Sequence, residues 1–249
     1  MLSLQDDNQA VKDPGQRPAV VEVAGLNAWY GDSHILQGVD INMYEGELVA
    51  LLGKNGAGKT TTLRSIMGAG PRTAGTINVR GRPARGQRPE VIARMGIAYC
   101  PEERAILSSL TVEENLFLPP VIAPGGLSTE EIFRLFPNLA SRLASQGSKL
   151  SGGEQQMLAI ARILRTGAKI LLLDEPTEGL APVIVEQIAN TIAILRQKGF
   201  TILLVEQNFT FALSVADRIY LMEHGRTVDT IDAAQAAREP EKLRQWLSV

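Results

Sequence analysis

Residues 53–60, with the sequence GKNGAGKT, carry the residue types most directly suited to chemistry. They follow the apolar segment 48–52 and precede the helix-like segment 61–67, which is the strand–loop–helix order that the P-loop pattern G-x-x-x-x-G-K-[ST] requires. Glycines let the backbone fold back so that consecutive N–H groups point at one phosphate, and the helix adds its positive N-terminal end. The segment therefore predicts a nucleoside triphosphate site, although a glycine-rich turn that binds nothing remains an alternative.

Two side chains of this loop have distinct expected roles. Lys59 is expected to neutralise the β- and γ-phosphate oxygens, and the hydroxyl of Thr60 to hold Mg²⁺. The other residues expected to contact the nucleotide are Gly53, Asn55, Gly56, Ala57, Gly58 and Thr61.

A second candidate segment, residues 170–175, is an apolar run that ends in two carboxylates. Asp174 would emerge from the sheet where it can reach the metal, and Glu175 would orient and deprotonate an attacking water. Buried strands often end in acidic residues, so the pattern alone is not specific. Downstream of Lys59 in an α/β chain, it favours hydrolysis of the bound nucleotide.

Composition excludes several classes of protein. The chain has 249 residues with 25 basic and 27 acidic side chains, so bulk attraction to nucleic acid is not indicated. A single cysteine, Cys100, excludes an internal disulfide, and we interpret it as a small buried strand residue. No apolar stretch has the ~18 residues of a spanning helix, and the N-terminus lacks the features of a signal peptide. We expect a soluble protein whose contact with a membrane runs through a partner.

Apolar strand patterns alternate with helical periods through the chain. The helix predicted at 182–197 begins with proline in its first turn, and helical periods dominate from 111 to 166. This alternation indicates a mostly parallel sheet covered on both faces. Strands are predicted at 20–23, 48–52, 75–79, 96–100, 169–174 and 201–205, a turn at 29–32, a basic loop at 82–90, a mobile tail at 1–18 and a short helix at 239–247.

The segment Leu150–Gln156 (LSGGEQQ) precedes a predicted helix at 154–164 and forms another anion-binding helix end. Two such ends in one chain are best explained if they serve one nucleotide from opposite sides. With the P-loop and the strand ending in Asp174, this segment resembles the signature motif of ATP-binding cassette (ABC) ATPases. A plain capped helix is the alternative. The residues that the resemblance places at a partner's nucleotide are Ser151, Gly152, Gly153 and Glu154.

The resemblance covers about residues 20–230 and implies the ABC ATPase fold. That fold has a P-loop NTPase (RecA-type) α/β core, an antiparallel β part on the N-terminal side and a helical insertion. A domain at 19–249 would then consist of a core (19–101 and 166–249) and a helical subdomain (about 102–165). Tyr30 falls where the family places an aromatic ring against adenine, although Trp29 could exchange roles with it. The family also implies a head-to-tail dimer that holds each ATP between one P-loop and the partner's signature.

Three positions depart from the common family pattern. Glu102 replaces the usual glutamine, and we expect it to contact the metal or its water shell. Ala181 stands where an aspartate usually bridges to the opposite subunit, and Gln207 replaces the phosphate-sensing histidine. These departures could mark a degenerate site.

Taken together, these variants resemble one branch of the family, the ATPases of bacterial importers of branched-chain and other hydrophobic amino acids. The resemblance implies three kinds of partner: two permease subunits, a periplasmic binding protein and a second ATPase subunit. The ATPase dimer would be mixed, with a homodimer possible. The resemblance also implies a place on the cytoplasmic face of the inner membrane. Related urea importers and soluble ABC ATPases without permeases are the alternatives. A P-loop kinase or GTPase is disfavoured because the signature would then have no purpose.

Overall fold

The computed structural model describes residues 18–236 and residue 238, which form two β-sheets and the helices packed on them. The predicted helix at 239–247, and the predicted tail apart from its last residue, lie outside the described residues. Within the described part of the chain, every helix is too short or too polar to cross a membrane.

The elements follow one another in the order that the apolar patterns predict, with additional strands near both ends. The strands are β1 Val21–Tyr30, β2 Ser33–Met43, β3 Leu48–Leu52, β4 Arg72–Val79, β5 Arg82–Pro83, β6 Ile97–Cys100, β7 Ile170–Asp174, β8 Thr201–Glu206, β9 Arg218–Glu223 and β10 Arg226–Asp232. The helices are α1 Lys59–Ile66, α2 Pro89–Arg94, α3 Val112–Phe117, α4 Thr129–Leu135, α5 Pro137–Ala140, α6 Gly152–Leu164, α7 Pro182–Gln197, α8 Phe209–Val215 and α9 Ala233–Ala236, with a 3₁₀ turn at Gly147–Lys149.

The central sheet has six strands in the order β10-β9-β3-β8-β7-β6, and all of them are parallel except β10. Every residue of β3, β7 and β8 is buried, because both faces of the sheet are covered. Successive residues alternate between the two faces. Leu171 and Leu173 pack with the helices, whereas Ile170 and Leu172 pack with the second sheet and α1.

The second sheet is antiparallel, with the order β2-β1-β4-β5. Its buried side chains, such as Val23, Leu36 and Ile41, join the apolar cluster that contains Leu63 of α1. This sheet therefore covers one face of the central sheet and supports the helix that follows the P-loop.

Residues 111–164 form a series of helices, three of which are capped at the N-terminus by a side chain. Thr111, Ser128 and Ser151 cap α3, α4 and α6, each in a reciprocal capping box with a glutamate three residues later. The buried faces of these helices share one apolar cluster with the central sheet.

Several local predictions differ from the structure. Trp29 and Tyr30 continue β1, because Trp29 pairs with strands on both sides and Tyr30 pairs with Ser33 of β2. Only the last part of the predicted turn at 29–32 therefore turns. The basic loop at 82–90 contains β5 and the start of α2. Strands β2, β9 and β10 were not predicted; β2 and β10 have many exposed positions, which interrupt the apolar pattern.

The turn between β9 and β10 holds the P-loop in place. The Gly225 N–H donates to the Ala57 carbonyl at 2.9 Å, and the Gly225 carbonyl accepts from the Gln37 N–H at 2.7 Å. Gly225 has φ +76°, and a Cβ atom there would lie 2.0 Å from the carbonyl oxygen of Ile35. Only glycine fits this position, since it lacks both the strain and the clash.

We predict that Gly225→Ala destabilises the protein more than Gly199→Ala. Both glycines have φ +76°, but a Cβ at Gly199 would meet no atom within 4 Å. Gly199→Ala should therefore cost only the ~1–2 kcal/mol of the left-handed conformation, whereas Gly225→Ala adds an overpacking cost of about 1–3 kcal/mol. Chemical denaturation measures both free energies of unfolding. Equal losses in the two variants would contradict the packing argument.

Candidate functional site

Three neighbouring strands of the central sheet carry the candidate residues beyond their carboxyl ends. The P-loop follows β3, Glu175 follows β7, and Gln207 follows β8, which lies between the other two strands. The carboxyl ends of parallel strands meet at one edge, which is where open α/β sheets bind ligands.

The P-loop turns through two glycines with positive φ, Gly56 (+79°) and Gly58 (+108°). The buried ammonium of Lys59 donates to the carbonyl oxygens of Gly53 (2.9 Å) and Lys54 (3.2 Å). The loop therefore holds the lysine charge close to its own backbone, at the N-terminus of α1.

A cavity of about 470 Å³ opens at this loop. It unites residues from the P-loop with carboxylates from the loops after β6 and β7. The residues that line it are Ile35, Asn55, Gly56, Gly58, Lys59, Thr60, Thr61, Glu102, Glu175 and Glu178. Seven of these were expected from sequence to bind nucleotide or metal, and Glu175 was expected to activate water, whereas Ile35 and Glu178 were not predicted.

Thr60 and Asp174 are directly connected. The Thr60 hydroxyl donates to one carboxylate oxygen of Asp174 at 3.0 Å, and the Tyr99 hydroxyl donates to the other at 2.8 Å. Burial raises the pKa of Asp174, and the two hydroxyl groups oppose that shift by stabilising the carboxylate. Burial and the charge of Asp174 also raise the pKa of Tyr99, so the phenol remains a donor.

Glu175 lies between two donors. One carboxylate oxygen is 3.0 Å from the ammonium of Lys59, and the other accepts from the Gln207 side-chain amide at 2.7 Å. The backbone of Glu175 has φ +44°, an uncommon conformation for a residue with a side chain, and its N–H donates to the Val205 carbonyl at 2.9 Å. This arrangement aims a buried carboxylate at the P-loop.

Glu206, the last residue of β8, contacts the loops that carry Glu175 and Gln207. Its buried carboxylate accepts from the Thr177 hydroxyl at 2.7 Å, and from the backbone N–H groups of Thr177, Gln207 and Asn208 at 3.2–3.3 Å. Burial raises the pKa of Glu206, and these donors oppose that shift. The contacts fasten the loop after β8 to the loop after β7. Sequence reasoning missed Glu206, whose only signal is an acidic residue at the end of an apolar strand.

Glu102 reaches the cavity wall from the loop after β6. Partial burial, followed by the nearby carboxylates of Glu178 and Glu175, raises the pKa of Glu102. A site with this much negative charge favours a cation or a proton near Glu102. The structure thus places Glu102 in the wall of the P-loop cavity.

Tyr30 and Trp29 have different environments. The ring of Trp29 stacks on His34, with the ring centroids 4.6 Å apart, and the guanidinium of Arg72 lies 4.6 Å from its centroid. Tyr30 is 41% exposed, and its hydroxyl lies near Gly70, after α1. Because Trp29 is partly buried and already contacts His34 and Arg72, the exposed Tyr30 is the more accessible ring for a base.

The signature residues form the capped start of α6. The Ser151 hydroxyl accepts from the Glu154 N–H at 3.3 Å, while the Glu154 carboxylate accepts from the Ser151 N–H at 2.8 Å. Arg142 also donates to Glu154, at 2.9 Å. Gly153 packs against α7, since a Cβ there would lie 3.0 Å from Ile184.

The structure does not bring this second helix end to the P-loop. None of Ser151, Gly152, Gly153 and Glu154 lines the P-loop cavity in the described part of the chain. Ser151 and Gly152 are exposed instead. The two candidate phosphate-binding ends therefore do not share a cavity within one chain.

Comparison with known proteins relates the chain to ATP-binding subunits of transporters. The ABC transporter family model matches residues 36–178. The high-affinity branched-chain amino acid transport ATP-binding protein BraG of Pseudomonas aeruginosa is 43% identical over 212 residues, which are 82% of this chain and 88% of that protein. A probable branched-chain amino acid transport ATP-binding protein, LivF of Archaeoglobus fulgidus, is 39% identical over 81% of this chain and 87% of its own length. A solved ATP-binding subunit of an ABC transporter matches with a TM-score of 0.76 and 30% identity, covering 92% of this chain and 100% of that one.

We predict that Tyr30→Ala weakens ATP binding by about 1–3 kcal/mol, because a base would lose its aromatic neighbour. Tyr30→Phe should retain the affinity, and tripolyphosphate should bind all three proteins equally. Isothermal titration measures each dissociation constant. If Trp29→Ala weakens ATP binding while Tyr30→Ala does not, the two rings have the opposite roles.

Proposed function

Since the chain belongs to the ABC transporter family, we propose that it is the ATP-hydrolysing subunit of a bacterial importer of branched-chain or other hydrophobic amino acids. That it is an ABC ATPase with the predicted fold follows from the family match and the relatives. The identity of 43% to a branched-chain amino acid transport protein, over most of both chains, is the observation that favours amino acids over urea.

The P-loop residues bind the triphosphate of ATP. Backbone N–H groups at residues 56–61 and the ammonium of Lys59 face the phosphates, and Tyr30 stacks on adenine. In the structure, Lys59 contacts Glu175 at 3.0 Å. A phosphate oxygen that takes over the lysine contact releases Glu175 toward the attacking water. Glu175 then accepts a proton from this water, while Gln207 holds the second carboxylate oxygen.

The residues beside the P-loop fit a Mg²⁺ ion. The Thr60 hydroxyl and the Asp174 carboxylate lie 3.0 Å apart, and both are oxygen ligands of the kind that Mg²⁺ prefers. No group of three or more His, Cys, Asp or Glu side chains suited to a metal occurs among the described residues. The pair of Thr60 and Asp174 suits Mg²⁺, which is usually held by one or two protein groups plus phosphate and water. When bound, the ion would neutralise charge on the phosphates, and Glu102, which lines the same cavity, would contact its water shell.

We also propose that two ATPase subunits act together. The exposed signature end of α6 does not share a cavity with the P-loop of its own chain, so it is free to complete the site of another subunit. Ala181 cannot accept the hydrogen bonds of the usual aspartate, and the neutral amide of Gln207 cannot donate a proton as a histidinium does. A partner subunit of different sequence would supply the usual aspartate and histidine, so that each deficit would occur at only one of the two ATP sites of the dimer.

ATP-dependent closure of this dimer would move two permease subunits between their access states. In this arrangement the chain lies on the cytoplasmic face of the inner membrane, and a periplasmic binding protein delivers the solute. Residues about 102–165 would form a helical subdomain beside the core at 19–101 and 166–249.

We predict different defects for Lys59→Ala and Glu175→Gln. Lys59→Ala should weaken ATP binding, because the phosphates lose a buried positive charge. Glu175→Gln should retain binding but slow turnover by ~10²–10⁴, the usual contribution of a general base. Lys54→Ala is the matched control, since only the carbonyl of this exposed loop residue contacts Lys59. Equal losses of binding in Lys59→Ala and Glu175→Gln would contradict this division of roles.

A transport experiment tests the proposed substrate and partners together. The tagged chain, purified with its native membrane partners and reconstituted in proteoliposomes with the binding protein, should drive ATP-dependent uptake of labelled leucine, isoleucine or valine. Uptake should stop with Glu175→Gln, and a second ATPase subunit should co-purify. Uptake of urea without amino acids, or recovery of the chain without any membrane subunit, would overturn the proposal.

A further inference from the structure

Arg162 contacts the loop that carries Glu102. It lies on α6, and only 9% of its surface is exposed. One terminal nitrogen donates to the Ala105 carbonyl and the other to the Arg104 carbonyl, each at 2.7 Å. The planar guanidinium suits this contact, because its donors form a rigid fork.

The two residues that accept these bonds have an unfavourable backbone conformation. Arg104 has φ +60° and Ala105 has φ +48°, although both carry a side chain. Left-handed conformations of this kind persist only where the surroundings hold them in place. Within the loop, the Arg104 N–H donates to the Pro101 carbonyl (3.0 Å) and the Ala105 N–H to the Glu103 carbonyl (2.6 Å). Arg162 donates to the Arg104 and Ala105 carbonyls of this same turn.

The loop is fastened to α6 a second time by its own side chain. Arg104 donates from Nε to the side-chain carbonyl of the buried Gln156 at 3.2 Å. Its guanidinium also packs beside Gly152, since a Cβ there would lie 3.1 Å from Arg104 Nη1. Glu102, two residues earlier, lines the P-loop cavity. One helix thus carries the signature at its start and holds the Glu102 loop along its length.

We infer that Arg162 is a positioning residue for ATP hydrolysis, which sets the turn at Arg104 and Ala105 so that Glu102 faces the P-loop cavity. This inference rests on the proposed ATP site and on the proposed role of Glu102, but it does not depend on which solute is transported. Arg162 itself lies away from the cavity and acts only through the loop.

Arg162→Lys tests the inference with a conservative change, because a single ammonium cannot reproduce the two-pronged contact. Arg165→Lys is the matched control. Arg165 follows α6 directly and also donates to backbone carbonyls, those of Leu116 (3.2 Å), Phe117 (3.0 Å) and Pro119, in a segment outside the cavity.

The measurements are hydrogen exchange at the Arg104 and Ala105 amides, the ATP dissociation constant, turnover at saturating ATP and the Mg²⁺ concentration for half-maximal turnover. Arg162→Lys should speed exchange at both amides and lower turnover on the order of tenfold or more, as small displacements of active-site groups do. ATP affinity should stay unchanged, because the P-loop is untouched. The Mg²⁺ dependence should shift in the same direction as in Glu102→Gln, and Arg165→Lys should alter none of these quantities.

Two results would overturn the inference. The first is unchanged amide exchange in Arg162→Lys. The second is faster amide exchange in Arg162→Lys without any change in turnover or Mg²⁺ dependence, as in Arg165→Lys, although Glu102→Gln changes both quantities. Failure of the proposed role of Glu102 gives a different pattern, since Glu102→Gln would then leave turnover and Mg²⁺ dependence unchanged. The uptake experiment measures the transport proposal separately.

Discussion

The buried carboxylate of Glu175 needs two donors from two different strands, and this requirement constrains the site around it. Lys59 reaches one oxygen from the loop after β3, and Gln207 reaches the other from the loop after β8. The preceding residue, Asp174, faces Thr60 and Tyr99 instead. A one-residue slip of β7 would exchange the directions of the two carboxylates, because side chains alternate along a strand. The all-buried strands therefore specify the register on which the chemistry depends.

The site concentrates charge that would be costly without partners. Lys59, Asp174, Glu175 and Glu206 are all buried, and burying an unpaired charge is far more unfavourable than burying an ion pair or a hydrogen-bonded carboxylate. Each of the three carboxylates accepts from at least two donors. These contacts rigidify the loops after β7 and β8, so the backbone that carries Glu175 is positioned before a ligand binds. Preorganised groups of this kind need little rearrangement during reaction.

Helix α6 carries the signature residues at its N-terminus and contacts the loop of Glu102 further along its length. Its capped N-terminus includes the exposed Ser151 and Gly152, and these residues do not line the cavity of their own chain. Further along, Gln156 and Arg162 hold the loop after β6, which carries Glu102 to that cavity. The helix thus connects a surface available to a second subunit with a wall of the chain's own nucleotide cavity. Its buried face anchors both ends in the same apolar cluster as β7.

Contiguous residues were sufficient to predict the P-loop, the strand that ends in Asp174 and Glu175, the signature helix and the bounds of α7. Strands such as β7 were also evident, since strands buried on both faces have continuous apolar runs. The strands β2 and β10 were not, because many of their positions are exposed and their burial is decided by the partner strands. The roles of the P-loop, signature and Glu102 residues remain proposals that the sequence suggested.

By itself, the sequence determined which chemical groups are present and the local turns that display them, because these depend on neighbouring residues. Tertiary structure decided which groups meet. It formed the hydrogen bonds from Tyr99 to Asp174 and from Thr177 to Glu206. It also formed those from Arg162 to the carbonyls of Arg104 and Ala105. It also gave Trp29 contacts with His34 and Arg72 and left Tyr30 exposed. These contacts join residues far apart in the chain, and only the order and register of the strands and the packing of α6 bring such residues within hydrogen-bonding distance.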